Sequence, residues 1–259
     1  MEKAMYTEQE LEAAKEFLRR RIENELSMKR DVDDLLNDYA EKLLMMLFRD
    51  APDVDINALI DELCFQLLED CKLLAVDEHD RGEDILLYML GERNGDTLEG
   101  RISKRCHTFF DEVFAVYLGG KLLGWDMQSL LSSIRANFKH PWQNEVLVAV
   151  REKIQRGDLA GNIGDFEEPH FGHGVEISSM GALETLTGYA IADAWMWWGY
   201  EDALARGAKG YYVQRGSSYP CDECQSHVGI FYPIGDEDNR PQYHRNCCCY
   251  VIYSYVERL

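Results

Sequence analysis

Basic residues are scarce in this chain. Its 259 residues include 27 lysines and arginines against 47 aspartates and glutamates, which gives a formal net charge of −20 at pH 7. Proteins that bind nucleic acid normally present a basic surface, because they must neutralise phosphates. The composition therefore argues against general nucleic-acid binding. Residues 207–259 hold five basic and six acidic side chains, so the acidity belongs to the N-terminal part, as solvated helical surface or as a site for basic partners.

Long hydrophobic runs and a recognisable export signal are also missing. The longest apolar runs, such as Leu43 to Phe48, are far shorter than the roughly 20 residues that a membrane helix needs. The sequence starts in charged, helix-forming residues, without a basic start followed by an apolar stretch. We therefore expect that the protein does not associate with membranes. We also expect that it is made in the cytoplasm, where thiols stay reduced.

Helical periodicity dominates the first 160 residues. Thr7 and Glu10 have the spacing of a capping box, and apolar residues follow at helical intervals. Pro52 is expected to stop the second helix, and Cys64 and Cys71 share the apolar face of the third, as core residues do. We predict seven helices here, over residues 7–28, 31–50, 57–76, 83–90, 97–118, 126–137 and 142–156.

A glycine-rich segment, residues 156–181, marks a predicted boundary between a helical domain (1–160) and a C-terminal module (161–259). His170 and His173 lie three apart in it and could present two imidazoles to a metal or an anion, but no third ligand is near. A long helix is predicted from about residue 179 to a glycine cap at Gly207. Its tryptophans are expected in a core or an interface.

Strand composition follows the long helix. Eight of the chain's 14 tyrosines come after residue 206, many beside β-branched residues. Two strands are predicted to flank the last cysteines. The expected fold class is α+β: a mostly helical N-terminal region with a small C-terminal module of helix plus antiparallel sheet.

Five of the eight cysteines lie between Tyr219 and Tyr253. Cys221 and Cys224 are spaced C-x2-C, and His244 and Cys247 are spaced H-x2-C. Two short turns that each supply two soft or borderline donors produce the tetrahedron that structural Zn²⁺ prefers. The spacing therefore predicts a zinc site, whose four protein ligands would leave no position open for catalysis.

The fourth ligand stays open at this point. Cys247 and Cys249 would share one face of a strand, with Cys248 on the other, and His227 could substitute for either. Disulfides are a weaker alternative, because the compartment is reducing and adjacent cysteines are hard to bridge. A catalytic cysteine, Cys221 or Cys249 beside a histidine, is another alternative, but no orienting residue is recognisable.

These residues also carry a resemblance. The C-terminal part resembles the C-terminal domain of phage Mu F-like minor head proteins, the head-morphogenesis family. The resemblance lies in the order of its features: a long helix ending in glycine, a strand, C-x2-C, a glycine, and P-x2-H-x2-C-x-C before a last strand. The resemblance covers about residues 180–259, and family members usually have an arginine where this chain has Cys248. The matching residues are Cys221, Cys224, Gly229, Pro241, His244, Cys247 and Cys249.

The resemblance implies a non-catalytic virion component of the capsid interior or portal region, present in the host cytoplasm during assembly. Its implied partners are portal and capsid proteins, with self-association as a further option.

Two other function classes are alternatives. A metal-dependent hydrolase or transferase would use His170, His173, Glu176 and the Cys/His cluster and needs an open coordination position. A zinc-ribbon regulator would bind nucleic acid in a salt-sensitive way.

Overall fold

The computed structural model describes residues 6–76, 82–93, 95–139, 179–216, 222–243, 247 and 249–256. Helices fill most of these residues, and three short strands lie near the C-terminus, so the predicted α+β class is confirmed. None of the described helices is long and apolar enough to cross a membrane. The elements are α1 (Glu8–Phe48), α2 (Asp53–Val76), α3 (Gly82–Leu90), α4 (Leu98–Leu122), α5 (Met127–Lys139), α6 (Ser179–Ala205), β1 (Gly210–Gln214), α7 (Asp222–Gln225), β2 (Phe231–Pro233) and β3 (Tyr250–Ser254).

The chain divides into two compact units, each built from separate chain segments. The sheet unit comprises Met1–Met28, Cys71–Gly91 and Thr187–Leu259. The helical unit comprises Lys29–Asp70 and Glu92–Leu186. The predicted domain boundary between residues 160 and 161 lies outside the described residues and stays a prediction.

Helix α1 begins as predicted but continues further. The Glu10 amide donates to Thr7 Oγ1 at 3.1 Å and the Thr7 amide donates to the Glu10 carboxylate at 2.7 Å, which is the reciprocal pattern of a capping box. The predicted break between residues 28 and 31 is wrong. Met28, Val32 and Leu36 are fully buried at intervals of four residues, so one continuous apolar stripe carries the helix through the acidic residues that resemble a helix start.

The next helices follow the predicted pattern with shifted ends. Helix α2 begins at Asp53 instead of residue 57, because the Pro52 carbonyl already accepts a hydrogen bond from the Asp55 amide at 2.9 Å. Helix α4 runs past residue 118, and Gly120 within it lies directly against Leu130 of α5. The predicted helix over residues 142–156 lies outside the described residues.

The helical unit has its core between α1, α2, α4 and α5. Cys106 is fully buried, and its thiol hydrogen-bonds with the half-buried Cys64. At the start of α6, the Ser179 amide and hydroxyl both donate to the Glu112 carboxylate, whose pKa is raised by burial. The largest fully buried side chains of this unit are Tyr39, Phe109, Leu36, Leu43, Leu44, Leu63 and Leu67.

The sheet unit packs aromatic helix faces around a three-stranded antiparallel sheet of order β2-β1-β3. Helix α6 ends with Gly207 at φ 82° and the Ala208 amide donating to the Ala203 carbonyl at 2.9 Å, so the predicted glycine cap is confirmed. Trp195 is fully buried and its ring lies 5.5 Å from Phe17 of α1, as expected for a core tryptophan. The sheet therefore rests on helices from both ends of the sequence.

Gly210 at the start of β1 permits a close approach of β2. A Cβ added there would overlap the Phe231 ring and the Tyr232 carbonyl oxygen. We expect Gly210→Ala to lower the free energy of unfolding by about 1–3 kcal/mol, the usual cost of overpacking. Gly235→Ala is the matched control, because nothing lies within 4 Å of its added methyl group. Urea unfolding of both variants checks this; equal midpoints would contradict the close packing at Gly210.

Candidate metal centre

Three buried thiols meet in the sheet unit. Cys224 lies on α7, and Cys247 and Cys249 lie on the chain that enters β3. Their Sγ atoms all lie within 4.8 Å of one another, and the Cys224 and Cys247 sulfurs are 3.8 Å apart. None of the three residues is more than 3% exposed. These cysteines form a buried cluster that could bind a metal ion.

Strand β1 brings the two cysteine segments together, and Val213 is the residue where they meet. On one side Val213 forms a parallel bridge with Val228, just after α7, and its carbonyl accepts from the Gly229 amide at 2.9 Å. Gly229 has φ 78°, a conformation that glycine adopts without strain. On the other side Val213 pairs with Val251 of β3, two residues after Cys249. The sheet register therefore fixes the separation of the two cysteine segments.

The surroundings of the cluster are apolar and aromatic. Such an environment excludes water and disfavours charged thiolates unless a cation compensates them. Hydrogen bonding with Cys247 and burial accordingly raise the pKa of the Cys249 thiol. Metal binding would therefore have to displace thiol protons. The buried residues packed with the cysteines are Met196, Tyr200, Tyr211, Val213 and Val251, with Phe17, Tyr232, Ile234, Tyr243 and Tyr253 around them.

One sulfur–sulfur distance in the cluster matches the geometry of a tetrahedral metal site. Zinc–sulfur bonds of about 2.3 Å at tetrahedral angles put two ligand sulfurs about 3.8 Å apart. The distance between the Cys224 and Cys247 sulfurs has this value. None of the six cysteines in the described part of the chain is disulfide-bonded, so these residues give no support to the disulfide alternative.

The structure brings together three of the five predicted ligands. Cys224, Cys247 and Cys249 share the cluster, which therefore contains both of the cysteines predicted as alternative ligands. Cys221 and His244 lie outside the described residues, as do Cys248 and the alternative site residues His170, His173 and Glu176. The fourth donor predicted from the sequence stays a prediction.

His227, the alternative ligand, is engaged elsewhere. Its Nδ1 lies 2.9 Å from the Tyr232 hydroxyl, and its ring stacks on Tyr243 with centroids 4.0 Å apart. Within the described residues the cluster that could bind a metal contains the three cysteines and not His227. Among the described residues, the side chains that perturb the Cys249 thiol are Cys247 and Cys224.

Sequence reasoning missed Arg21 of α1. Its side chain is fully buried, and its guanidinium donates to the carbonyl oxygens of Cys249 and Cys247, each at 3.2 Å. The available sequence signal was its position: Arg21 falls on the buried stripe of α1 that includes Ala14 and Met28. An arginine on an apolar face normally has a specific partner, since a buried charge must be compensated.

Comparisons with protein-family models, with curated proteins and with solved structures found no match to this chain. Functional inference therefore rests on the cysteine cluster and on the sequence resemblance.

Buried and partly buried tyrosines around the cluster predict a loss of stability at alkaline pH. Burial raises the pKa of the phenols of Tyr211, Tyr232 and Tyr243, whereas an unfolded tyrosine titrates near pH 10. Their stabilising contribution is complete below about pH 10 and is lost as the pH rises toward the folded-state values. Urea unfolding at a series of pH values should show this fall. Native tyrosine absorbance should meanwhile show a group of phenols ionising above pH 10; a single titration near 10 without loss of stability would contradict it.

Proposed function

We propose that this chain is a minor head protein of a phage or prophage, which acts in capsid and portal assembly without catalysis and whose C-terminal module contains a structural zinc ion. The observation that carries the proposal is the convergence of Cys224, Cys247 and Cys249 within the small sheet. The order of elements supports it as well. A long helix with a glycine cap, a strand, the cysteine turn, and the C-x-C pair before a last strand follow one another as in the family resemblance.

A structural role for zinc is supported by burial. The three thiols lie in an apolar cluster, and a fourth donor from Cys221 or His244 would complete a closed site. A catalytic zinc keeps one position open for water or substrate, whereas a structural zinc has four protein ligands. Closed ligation favours stabilisation over hydrolysis or group transfer.

The sheet has a physical need for such stabilisation. Its strands are only five, three and five residues long, and small sheets of this kind are marginally stable in water. Zinc would join α7 to the segment before β3, on the two sides of Val213. Because the site forms only in the folded chain, the free energy of metal binding would add to the free energy of unfolding.

Metal removal tests the structural role. We expect about one zinc per chain in protein purified without chelator. A strong chelator should then lower the melting temperature by about 10 °C, because structural zinc contributes several kcal/mol.

Cysteine substitutions test which thiols bind the zinc. Cys249→Ser should lower zinc content and melting temperature together. Cys64→Ser is the matched control, since Cys64 lies in the helical unit and is no member of the cluster. Unchanged melting of the parent in chelator, or equal zinc content in the two variants, would contradict the structural site.

An exposed apolar stripe on α4 supports a role in protein assembly. Phe114, Leu118 and Leu122 follow at intervals of four residues, so they share one helix face, and all three are exposed. Contiguous exposed apolar surface marks sites of protein–protein contact. The proposed partners are portal and capsid proteins of the same phage, and the proposed location is the virion.

Recovery of the chain in purified particles tests this assignment. Leu122→Glu should reduce its incorporation and its co-purification with portal protein at unchanged melting temperature, because a charge would enter the apolar contact. Leu87→Glu is the matched control: Leu87 is 75% exposed and Leu122 is 79% exposed, but Leu87 lies on α3. Quantitative mass spectrometry of particles gives the measurement. Absence of the parent chain from particles would overturn the assembly function.

A further inference from the structure

Arg21 connects the N-terminal helix to the cysteine cluster within the sheet unit. Its two terminal nitrogens donate separately to the carbonyls of Cys249 and Cys247 at 3.2 Å each. Both acceptors belong to residues whose thiols are in the cluster. A guanidinium is a planar fork with fixed donor directions, so this one side chain sets the spacing of the two carbonyls.

The charge of Arg21 has one close counter-charge on its own helix. Its Nε lies 3.0 Å from a Glu25 carboxylate oxygen, and the two side chains are 1% and 16% exposed. The Nε and this oxygen are close enough for an ion pair, although they lack hydrogen-bond geometry. A buried cation of this kind gains from any further negative charge nearby.

We propose that Arg21 couples occupancy of the cysteine centre to the docking of residues 8–28 of α1. The proposal rests on the metal centre proposed above. Three thiolates exceed the charge of a divalent ion, so the loaded centre is net negative and attracts the Arg21 guanidinium. The same hydrogen bonds orient the backbone that carries two of the ligands, as outer-shell partners do in metal sites.

Coupling of this kind acts in both directions. If Arg21 increases metal affinity, then the bound metal stabilises the docked position of Arg21 by an equal free energy. Residues 8–28 should therefore be held more firmly in the loaded protein than in the metal-free protein. A purely structural arginine, which only satisfies two carbonyl groups, would stabilise both forms equally and leave metal affinity unchanged.

Zinc affinity measured by competition with a chromophoric chelator tests the first direction. Arg21→Gln should weaken zinc binding about ten-fold, the lower end of the effect of losing an outer-shell partner. Arg19→Gln is the matched control, because Arg19 lies half a turn away, is exposed and pairs with Glu16 and Glu23 on the surface. Its affinity should equal that of the parent. Far-UV circular dichroism confirms that both variants are folded.

Glu25→Gln should change zinc affinity in the opposite direction. It provides a second test of the coupling if Arg21→Gln does not fold. Removing the carboxylate takes away the counter-charge that Arg21 has without metal, so the loaded centre should interact more strongly with Arg21 and zinc binding should tighten severalfold. Weaker or unchanged zinc binding in this variant would overturn the electrostatic coupling.

Hydrogen exchange of the unmodified protein tests the second direction without any substitution. Amides in residues 14–25 should exchange faster after chelation, while amides of α4 in the helical unit should keep their rates. Failure of the coupling and failure of the metal centre are distinguishable. A parent that binds no zinc overturns the centre and the coupling together. A parent that binds zinc, with equal affinities for Arg21→Gln and Arg19→Gln and unchanged exchange, overturns only the coupling.

Discussion

Burial of three thiols in one apolar core is the constraint on which the sheet unit depends. The sulfurs of Cys224, Cys247 and Cys249 lie within 4.8 Å of one another, and those of Cys224 and Cys247 are within hydrogen-bonding distance. Thiols are weak donors and acceptors, however, and stabilise a fold little by themselves. Three strands of at most five residues supply few backbone hydrogen bonds. A metal ion bound to the three sulfurs would cross-link the two segments that flank β1 and would stabilise the unit more than the thiols do alone.

The same cluster explains why the first part of α1, up to Met28, belongs to the sheet unit. Arg21 satisfies two carbonyls of the cysteine segment, and Phe17, one turn earlier, stacks on Trp198 with centroids 6.1 Å apart. These contacts join residues that are about 180 to 230 positions apart in the sequence. The proposed assembly function thus has two physical parts: a sheet unit whose integrity depends on the sulfur cluster, and a helical unit that exposes apolar surface on α4.

Local signals in the sequence predicted much of the fold. The capping box at Thr7 and the glycine cap at Gly207 mark helix ends that the structure has. Local signals could not predict that α1 continues past residue 28. Acidic residues typical of a helix start lie there, and the apolar stripe that continues the helix becomes evident only from tertiary packing. Strand β2 has three residues, too few for an alternating pattern to be recognised.

For the site, spacing identified Cys224, Cys247 and Cys249, since C-x2-C and C-x-C are local patterns. It could not identify Arg21, whose partners are backbone carbonyls more than 220 residues away.

X-ray absorption spectroscopy at the zinc edge, on protein purified without chelator, tests the central claim most directly. We predict a tetrahedral shell dominated by sulfur, with three or four sulfur neighbours at about 2.3 Å and, for three, one nitrogen at about 2.0 Å. A spectrum of this form would place the metal at the buried thiols. A shell of oxygen and nitrogen alone, or protein without bound zinc, would contradict the claim that Cys224, Cys247 and Cys249 form a structural metal centre.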